Sequence, residues 1–248
     1  MTNRPVAAIT GASSGIGTAI ATRLAADGYD LALCARREQR LIDLASKLSQ
    51  EYNVDVLTQA VDLRDEAQIL EWFSAIAVRF NRLDTLINNA GLGYKESLTD
   101  GTTEKWRETL DVNVIALCIC TREAIKLMRI LKNDQGHIVH ISSMSGHRVP
   151  GSGMYSASKF AVRALTEGLR QELRAAKSAI RISSISPGFV ETEFAEKYSG
   201  SIEQAEQVYG QFPVLQPKDI ANAIGYVLSQ PDYVQVHDIL LRPTQQSS

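Results

Sequence analysis

Val6-Ala7-Ala8-Ile9-Thr10-Gly11-Ala12-Ser13-Ser14-Gly15-Ile16-Gly17 decides the fold. Its opening is a continuous apolar run that ends at a glycine, the pattern of a strand covered on both faces in a parallel sheet. Thr18 to Ala26 then reads as an apolar-faced helix closed by Gly28. Strand, glycine loop and helix in that order form the setting a dinucleotide loop requires. Gly11 permits the tight turn, Gly15 lets the backbone approach a pyrophosphate, and Gly17 allows close helix packing. Ser13, Ser14 and Ile16 fill the positions between, and the helix N-terminus faces the phosphates. The spacing is G-x-x-x-G-x-G, and outside this setting such a loop reads as simple turn chemistry.

Working outward, Asp30 to Cys34 is a second strand whose end faces an adenosine ribose. An acidic residue there would accept hydrogen bonds from a 2′-hydroxyl, but the chain runs instead into Ala35-Arg36-Arg37. Two guanidiniums suit a 2′-phosphate and so NADP(H), because arginine meets phosphate with a charged planar fork. The plainer alternative is a solvated pair heading the polar helix Glu38 to Tyr52. Val54 to Ala60 is a third strand, with Asp62-Leu63 just beyond it where an adenine would lie, and Asp65 to Phe80 is an amphipathic helix.

Leu83 to Ile87 is a fourth strand ending in Asn88-Asn89-Ala90-Gly91. Paired asparagines at a strand end are ordinary turn chemistry, yet the carboxyl ends of such strands also form the ligand crevice, where side-chain amides bridge strands and support a cofactor. A long helix, Thr103 to Leu131, carries Asn113 among apolar neighbours, a placement that demands a partner. Gly136 to Ile141 is a fifth strand ending in Ser142-Ser143. The loop from Met144 to Met154 contains Gly146, Pro150, Gly151 and Gly153. Met154 to Ala175 is a helix, and Ile180 to Ile185 a sixth strand ending in Ser186-Pro187-Gly188-Phe189-Val190-Glu191-Thr192. The polar stretch from about 191 to 216, with Phe194, Tyr198, Tyr209 and Phe212, reads as a mobile lid. A last helix, Lys218 to Ser229, and an edge strand, Val236 to Leu241, complete the chain.

Tyr155 and Lys159 stand four residues apart and so share one helix face. A free phenol, with a pKa of about 10, is a poor acid or base at neutral pH; a nearby ammonium favours the phenolate and draws the value down. Any solvated helix face can carry such a pair. Here the pair follows Ser143 across the crevice, whose hydroxyl suits a substrate oxygen or, more plainly, a helix cap.

The bulk numbers constrain the rest. The 248 residues show no composition shift, which implies a single domain over 1–248. A net charge of −2, with 44% hydrophobic and 22% charged residues, gives no reason to expect a nucleic-acid or membrane partner. No apolar run is long enough to span a bilayer, and a soluble, cytoplasmic protein is expected. Three cysteines, with Cys118-Ile119-Cys120 too close for a metal pair, read as buried packing residues in a reducing compartment, with no metal site.

With Thr10 to Gly17, Asn88-Asn89-Ala90-Gly91, Tyr155-Ser156-Ala157-Ser158-Lys159 and Pro187-Gly188 in order, the chain resembles the short-chain dehydrogenase/reductase family over essentially its whole length. Met144 to Val149, Ala164 to Arg174 and Leu241 to Thr244 look like its NADP-dependent carbonyl and ketosteroid reductases. The resemblance implies a Rossmann-type, doubly wound α/β fold with about seven parallel strands. It also implies reversible hydride transfer between NADP(H) and a ketone, aldehyde or secondary alcohol. Tyr155 would protonate the substrate oxygen, Ser143 would hold it, and Lys159 would lower the phenol pKa and bond the nicotinamide ribose. Asn113 would anchor a water. Asn89, Ala90, Gly91, Pro187, Gly188, Val190 and Thr192 would line the cofactor. A family spacing of thirteen residues before the tyrosine counts back to Ser142, whereas the pattern Ser-Ser-x-x-Gly selects Ser143 through a loop one residue shorter. That contraction sets the substrate loop apart from the ketosteroid reductases. Homodimers or homotetramers through the two long helices are implied. Alternatives are a small hydroxy-acid or sugar-alcohol dehydrogenase, and a catalytically silent NADPH-sensing protein. The lid aromatics speak for bulkier, less polar substrates, or for lid packing alone.

Overall fold

The computed structural model describes residues 4–150 and 153–247. Gly151 of the loop before Met154 lies outside the described residues, as do Met1 to Asn3. Seven strands, β1 (Val6–Thr10), β2 (Asp30–Ala35), β3 (Val56–Ala60), β4 (Thr85–Asn88), β5 (His137–Ile141), β6 (Arg181–Pro187) and β7 (Asp238–Leu241), form one sheet in the order β3-β2-β1-β4-β5-β6-β7. Every pairing is parallel. The order runs outward from β1 in both directions, so the chain reverses its winding between β1 and β4, and a crevice opens above their carboxyl ends.

The alternation of side chains along β1 assigns the two faces. Ala7 and Ile9 point to one layer, where they meet α1 (Gly15–Ala26), α2 (Glu38–Tyr52) and α9 (Pro217–Leu228) through Ile20, Leu24, Leu41 and Ile224. Val6 and Ala8 point to the other, against α3 (Glu66–Phe80), α5 (Ala116–Ile130) and α6 (Met154–Ala175) through Trp72, Phe73, Cys120 and Leu173. Cys34 and Cys120 are buried and Cys118 is half-buried; all three are free thiols. Burial on both faces explains why the inner strands, β1, β2, β4, β5 and β6, need no alternating pattern in the sequence.

Three elements differ from the sequence reading. Helix α1 begins at Gly15, inside the glycine loop, because the first turn of a helix makes few internal bonds and tolerates glycine there. The expected single helix over Thr103 to Leu131 is α4 (Thr103–Leu110), a π turn at Asp111–Ile115 and α5. The lid stretch contains two short helices, α7 (Phe194–Ser199) and α8 (Ile202–Tyr209). No helix among the described residues is long and apolar enough to cross a membrane.

Candidate active site

The glycine loop is held by its neighbours. Gly11 and Gly15 have φ of +68° and +53°, left-handed values that favour glycine. A Cβ on Gly17 would lie 2.3 Å from the Gly11 carbonyl oxygen and 2.7 Å from Asn89 Nδ2, so α1 packs against the loop with no room for a side chain. Asn89 is the strut from β4: its amide donates to the Thr10 and Gly11 carbonyls at 2.9 and 3.3 Å. Thr10 Oγ1 accepts from the backbone N–H of Asn89 and of Ala90, both at 3.0 Å. Thr192, beyond β6, closes the loop from above; a Cβ on Gly15 would meet its methyl at 3.0 Å.

A cleft of about 1110 Å³ runs from this loop over the strand ends. At one end it is bounded by Ser13, Ser14, Arg36 and Arg37, with Asp62 and Leu63 beside them. Arg37 donates to Ser13 Oγ at 3.2 Å, Ser14 Oγ at 2.6 Å and Glu193 Oε2 at 2.7 Å. Asp62 is held below the usual carboxylate range by its hydrogen bonds from Arg64. The middle is walled by Gly91 on one side and by Pro187, Gly188 and Val190 on the other. Val190 bridges to Leu215 beneath the lid.

At the far end stand Tyr155, Lys159 and Ser143. Helix α6 begins at Met154, and its first two turns aim Tyr155 and Lys159 at the ends of β4 and β5. Lys159, 4% exposed, donates from Nζ to the Ile141 carbonyl at 2.9 Å. Its Nζ lies 5.8 Å from the Tyr155 ring centroid. Ser143 caps a single 3-10 turn, accepting the Ser145 N–H at 3.0 Å, and its side chain is hydrogen-bonded to the Tyr155 phenol. Ser142 turns the other way, its hydroxyl 3.5 Å from the Lys159 carbonyl. The adjacent serines therefore split: Ser143 faces the phenol, and Ser142 packs against the backbone of α6.

The expected downward pull of Lys159 on the phenol is not what this structure shows. Burial beneath Phe194 and Tyr198, with ring centroids 5.2 and 5.9 Å away, pushes Tyr155 up to about 12, opposed by the bond from Ser143. Burial lowers Lys159 to about 8. In this state the phenol holds its proton, and the lysine is the group nearer its titration range.

Asn113 does not line the cleft. It is 2% exposed within the π turn, where its Oδ1 accepts the Leu92 N–H at 2.9 Å and its Nδ2 donates to the Leu92 carbonyl at 2.7 Å and to Ser158 Oγ at 2.9 Å. The sequence demand for a partner is thus met three times. A Cβ on Gly91 would stand 3.4 Å from Asn113 Oδ1 and 3.5 Å from Lys159 Nζ, so the two polar groups converge behind that glycine.

Three cleft residues carried no sequence signal. Gly93 lies flat against Tyr155; a Cβ there would sit 2.7 Å from the ring. Gln246, from the C-terminal tail, accepts the Phe189 N–H at 2.9 Å and covers Gly188. Glu193 reaches Arg37 and Arg40 across the mouth. Each acts through position after folding and not through a local pattern. Among the described residues no cluster of His, Cys, Asp or Glu suits a metal ion.

Known proteins resemble this chain in sequence and fold. A family model described as short chain dehydrogenase matches residues 5–202. Dehydrogenase/reductase SDR family member 11 of Bos taurus is 48% identical, over 97% of this chain and 96% of its own. Farnesol dehydrogenase of Aedes aegypti is 40% identical, over 96% of this chain and 95% of its own. Among solved structures, an alcohol dehydrogenase from the archaeon Thermococcus sibiricus complexed with 5-hydroxy-NADP is 31% identical with a TM-score of 0.86, covering 99% of both chains. A closed form of serine dehydrogenase complexed with NADP+ has a TM-score of 0.89 at 29% identity, covering 98% of this chain and 96% of its own. The chain belongs to the short-chain dehydrogenase/reductase family of oxidoreductases.

Proposed function

We propose that this protein is an NADP(H)-dependent oxidoreductase that interconverts a ketone or aldehyde with its alcohol, on apolar substrates of medium size. The observation that carries the reading is the hydrogen-bonded Ser143 and Tyr155 pair at one end of a cleft whose other end offers a glycine loop and Arg36 and Arg37. The residues fit the cofactor. The α1 N-terminus and the left-handed glycines suit a diphosphate, β2 runs directly into Arg36 and Arg37 where a carboxylate would meet a 2′-hydroxyl, and the Arg37 fork with two serine hydroxyls suits a 2′-phosphate. Several relatives solved with NADP or NADPH favour the same choice.

The nicotinamide, when bound, supplies or accepts the hydride. The chain manages the oxygen and its proton. Ser143 donates a hydrogen bond to the substrate oxygen and sets its distance from Tyr155. Tyr155, protonated in this environment, gives its proton as negative charge gathers on that oxygen, the point at which stabilisation counts most. The buried Lys159 ammonium favours the resulting phenolate, and Asn113 ties the loop at Leu92 to the turn of α6 that carries Lys159. Phe194 and Tyr198, stacked at 5.8 Å, exclude water from the phenol and favour an apolar substrate face.

The test is Tyr155→Phe against NADPH and a carbonyl panel of terpenoids, steroids and semialdehydes. Turnover is expected to fall roughly 10²- to 10⁴-fold, while NADPH binding by fluorescence stays within about twofold, because the ring's packing is kept. Full turnover in the variant would refute the assignment, and a wild-type protein that binds NADPH but reduces nothing favours a sensor.

A further inference from the structure

We propose that Glu193 is a built-in competitor for a nucleotide 2′-phosphate, its carboxylate occupying the face of Arg37 that the phosphate needs. The proposal rests on the NADP(H) reading above. Arg37 directs Nε and one terminal nitrogen at the hydroxyls of Ser13 and Ser14, 3.2 and 2.6 Å away, and the other terminal nitrogen at Glu193 Oε2, 2.7 Å away. A guanidinium steered by two loop hydroxyls, with one nitrogen left to meet an anion, is the chemistry of a phosphate site, and here a carboxylate takes that nitrogen.

The carboxylate comes from the lid, just ahead of α7, and not from the nucleotide-binding half of the chain. Its second oxygen accepts from Arg40 at 2.6 Å, and Lys197 lies 3.3 Å from the first. With three cations around it, Glu193 is an anion at every working pH; hydrogen bonds from Arg40 and Arg37 hold it near 2.

The same surroundings make the exchange feasible. When a phosphate dianion takes Arg37, Glu193 keeps Arg40 and Lys197, so no carboxylate is left without a partner. The dianion carries the greater charge and wins the guanidinium, but it does so against the repulsion of a nearby carboxylate. Glu193 therefore weakens binding of any nucleotide that carries the 2′-phosphate and leaves nucleotides with a free 2′-hydroxyl nearly untouched. It sets the margin of NADP(H) over NAD(H).

Calorimetric titration of the full chain with 2′,5′-ADP and with 5′-AMP tests this without turnover. Glu193→Gln is expected to tighten 2′,5′-ADP roughly five- to twentyfold at low ionic strength, with the gain shrinking in salt, and to change 5′-AMP by less than about twofold. In an Arg37→Gln background the gain is expected to fall to about twofold or less, the signature of coupling between the two residues. Weaker 2′,5′-ADP binding in Glu193→Gln would show that Glu193 positions Arg37 and would overturn the proposal; so would an unchanged ratio of the two ligands. A wild type that prefers 2′,5′-ADP beside an unresponsive variant sinks the competitor and spares the NADP(H) reading. Equal binding of both ligands by both proteins sinks the two together.

Discussion

Gly93 shows how a residue with no side chain can govern the placement of a large one. The Tyr155 ring lies so close to its α-carbon that a methyl group would stand 2.7, 3.0 and 3.2 Å from three ring and side-chain atoms. The phenol is thus aimed from three sides: by Gly93 beneath it, Ser143 at its oxygen, and Phe194 with Tyr198 above. Gly93→Ala is expected to lower kcat by roughly 10- to 100-fold through displacement of the ring. NADPH affinity should hardly change, since Gly93 lies away from the glycine loop. Stopped-flow hydride transfer beside equilibrium NADPH titration checks the split, and equal loss in both would point to a collapsed cleft. At this scale the sequence located the residues that line the cleft wherever a motif marks them, as at Tyr155, Lys159 and Asn89. It was silent at Gly93, whose demand arises only once the 90–95 loop is laid against α6.

At the scale of elements, β5 joins its neighbours through a directed chain of hydrogen bonds. Thr166 donates to the Val162 carbonyl at 2.7 Å, so its oxygen accepts from His140 Nδ1, 2.9 Å away. That tautomer leaves His140 Nε2 to accept from Thr121, 3.2 Å away, whose oxygen accepts in turn from Asn88 at 2.9 Å. Strand β4, helix α5, strand β5 and helix α6 are so linked around one neutral imidazole, and every polar atom is satisfied only while it stays neutral.

Burial lowers His140 to about 3, and burial with the nearby Arg181 does the same to His137. The unfolded chain takes up these protons near pH 6.5, and the folded chain refuses them until about pH 3. Stability from these groups is therefore complete above 6.5 and falls as pH drops toward 3. A loss on the order of a few kcal/mol is expected by pH 4. Denaturant midpoints measured against pH should fall less steeply between 6.5 and 4 in His140→Asn than in wild type. Equal slopes would mean that the imidazole is not the group responsible.

The π turn marks the limit of legibility for elements. Periodicity read one helix across Asp111 to Ile115 correctly as helical, and the mid-helix asparagine correctly as partnered. The extra residue in the turn was not readable, because it is set by Leu92 and Ser158, which approach from other parts of the fold.

At the scale of the molecule, the parallel direction of the strands was legible from one alternation repeated along the chain, apolar run, crossover helix, next strand, whereas their order across the sheet, with its reversal between β1 and β4, was not. What pattern could not give is closure across the mouth, where Glu193 meets Arg37 over a separation of 156 residues. The outer face near α5 and α6 also carries a property of the whole. Ile115, Phe160 and Leu165 are 51%, 40% and 37% exposed, on the two helical segments through which the family resemblance implies a homodimer or homotetramer. Sedimentation velocity is expected to show an assembly larger than one chain, and Phe160→Glu to shift it toward the monomer with the circular dichroism unchanged. A wild-type monomer at micromolar concentration would dismiss that surface.

Gln246 has a practical corollary. Its carbonyl oxygen takes the Phe189 N–H at 2.9 Å and would collide with any side chain on Gly188, so the tail forms part of the chamber wall. An exchange at Gln246 is therefore expected to loosen Phe189 and widen the chamber, and kinetic constants from material carrying extra residues close behind Gln246 deserve comparison with a sample from which they have been cleaved.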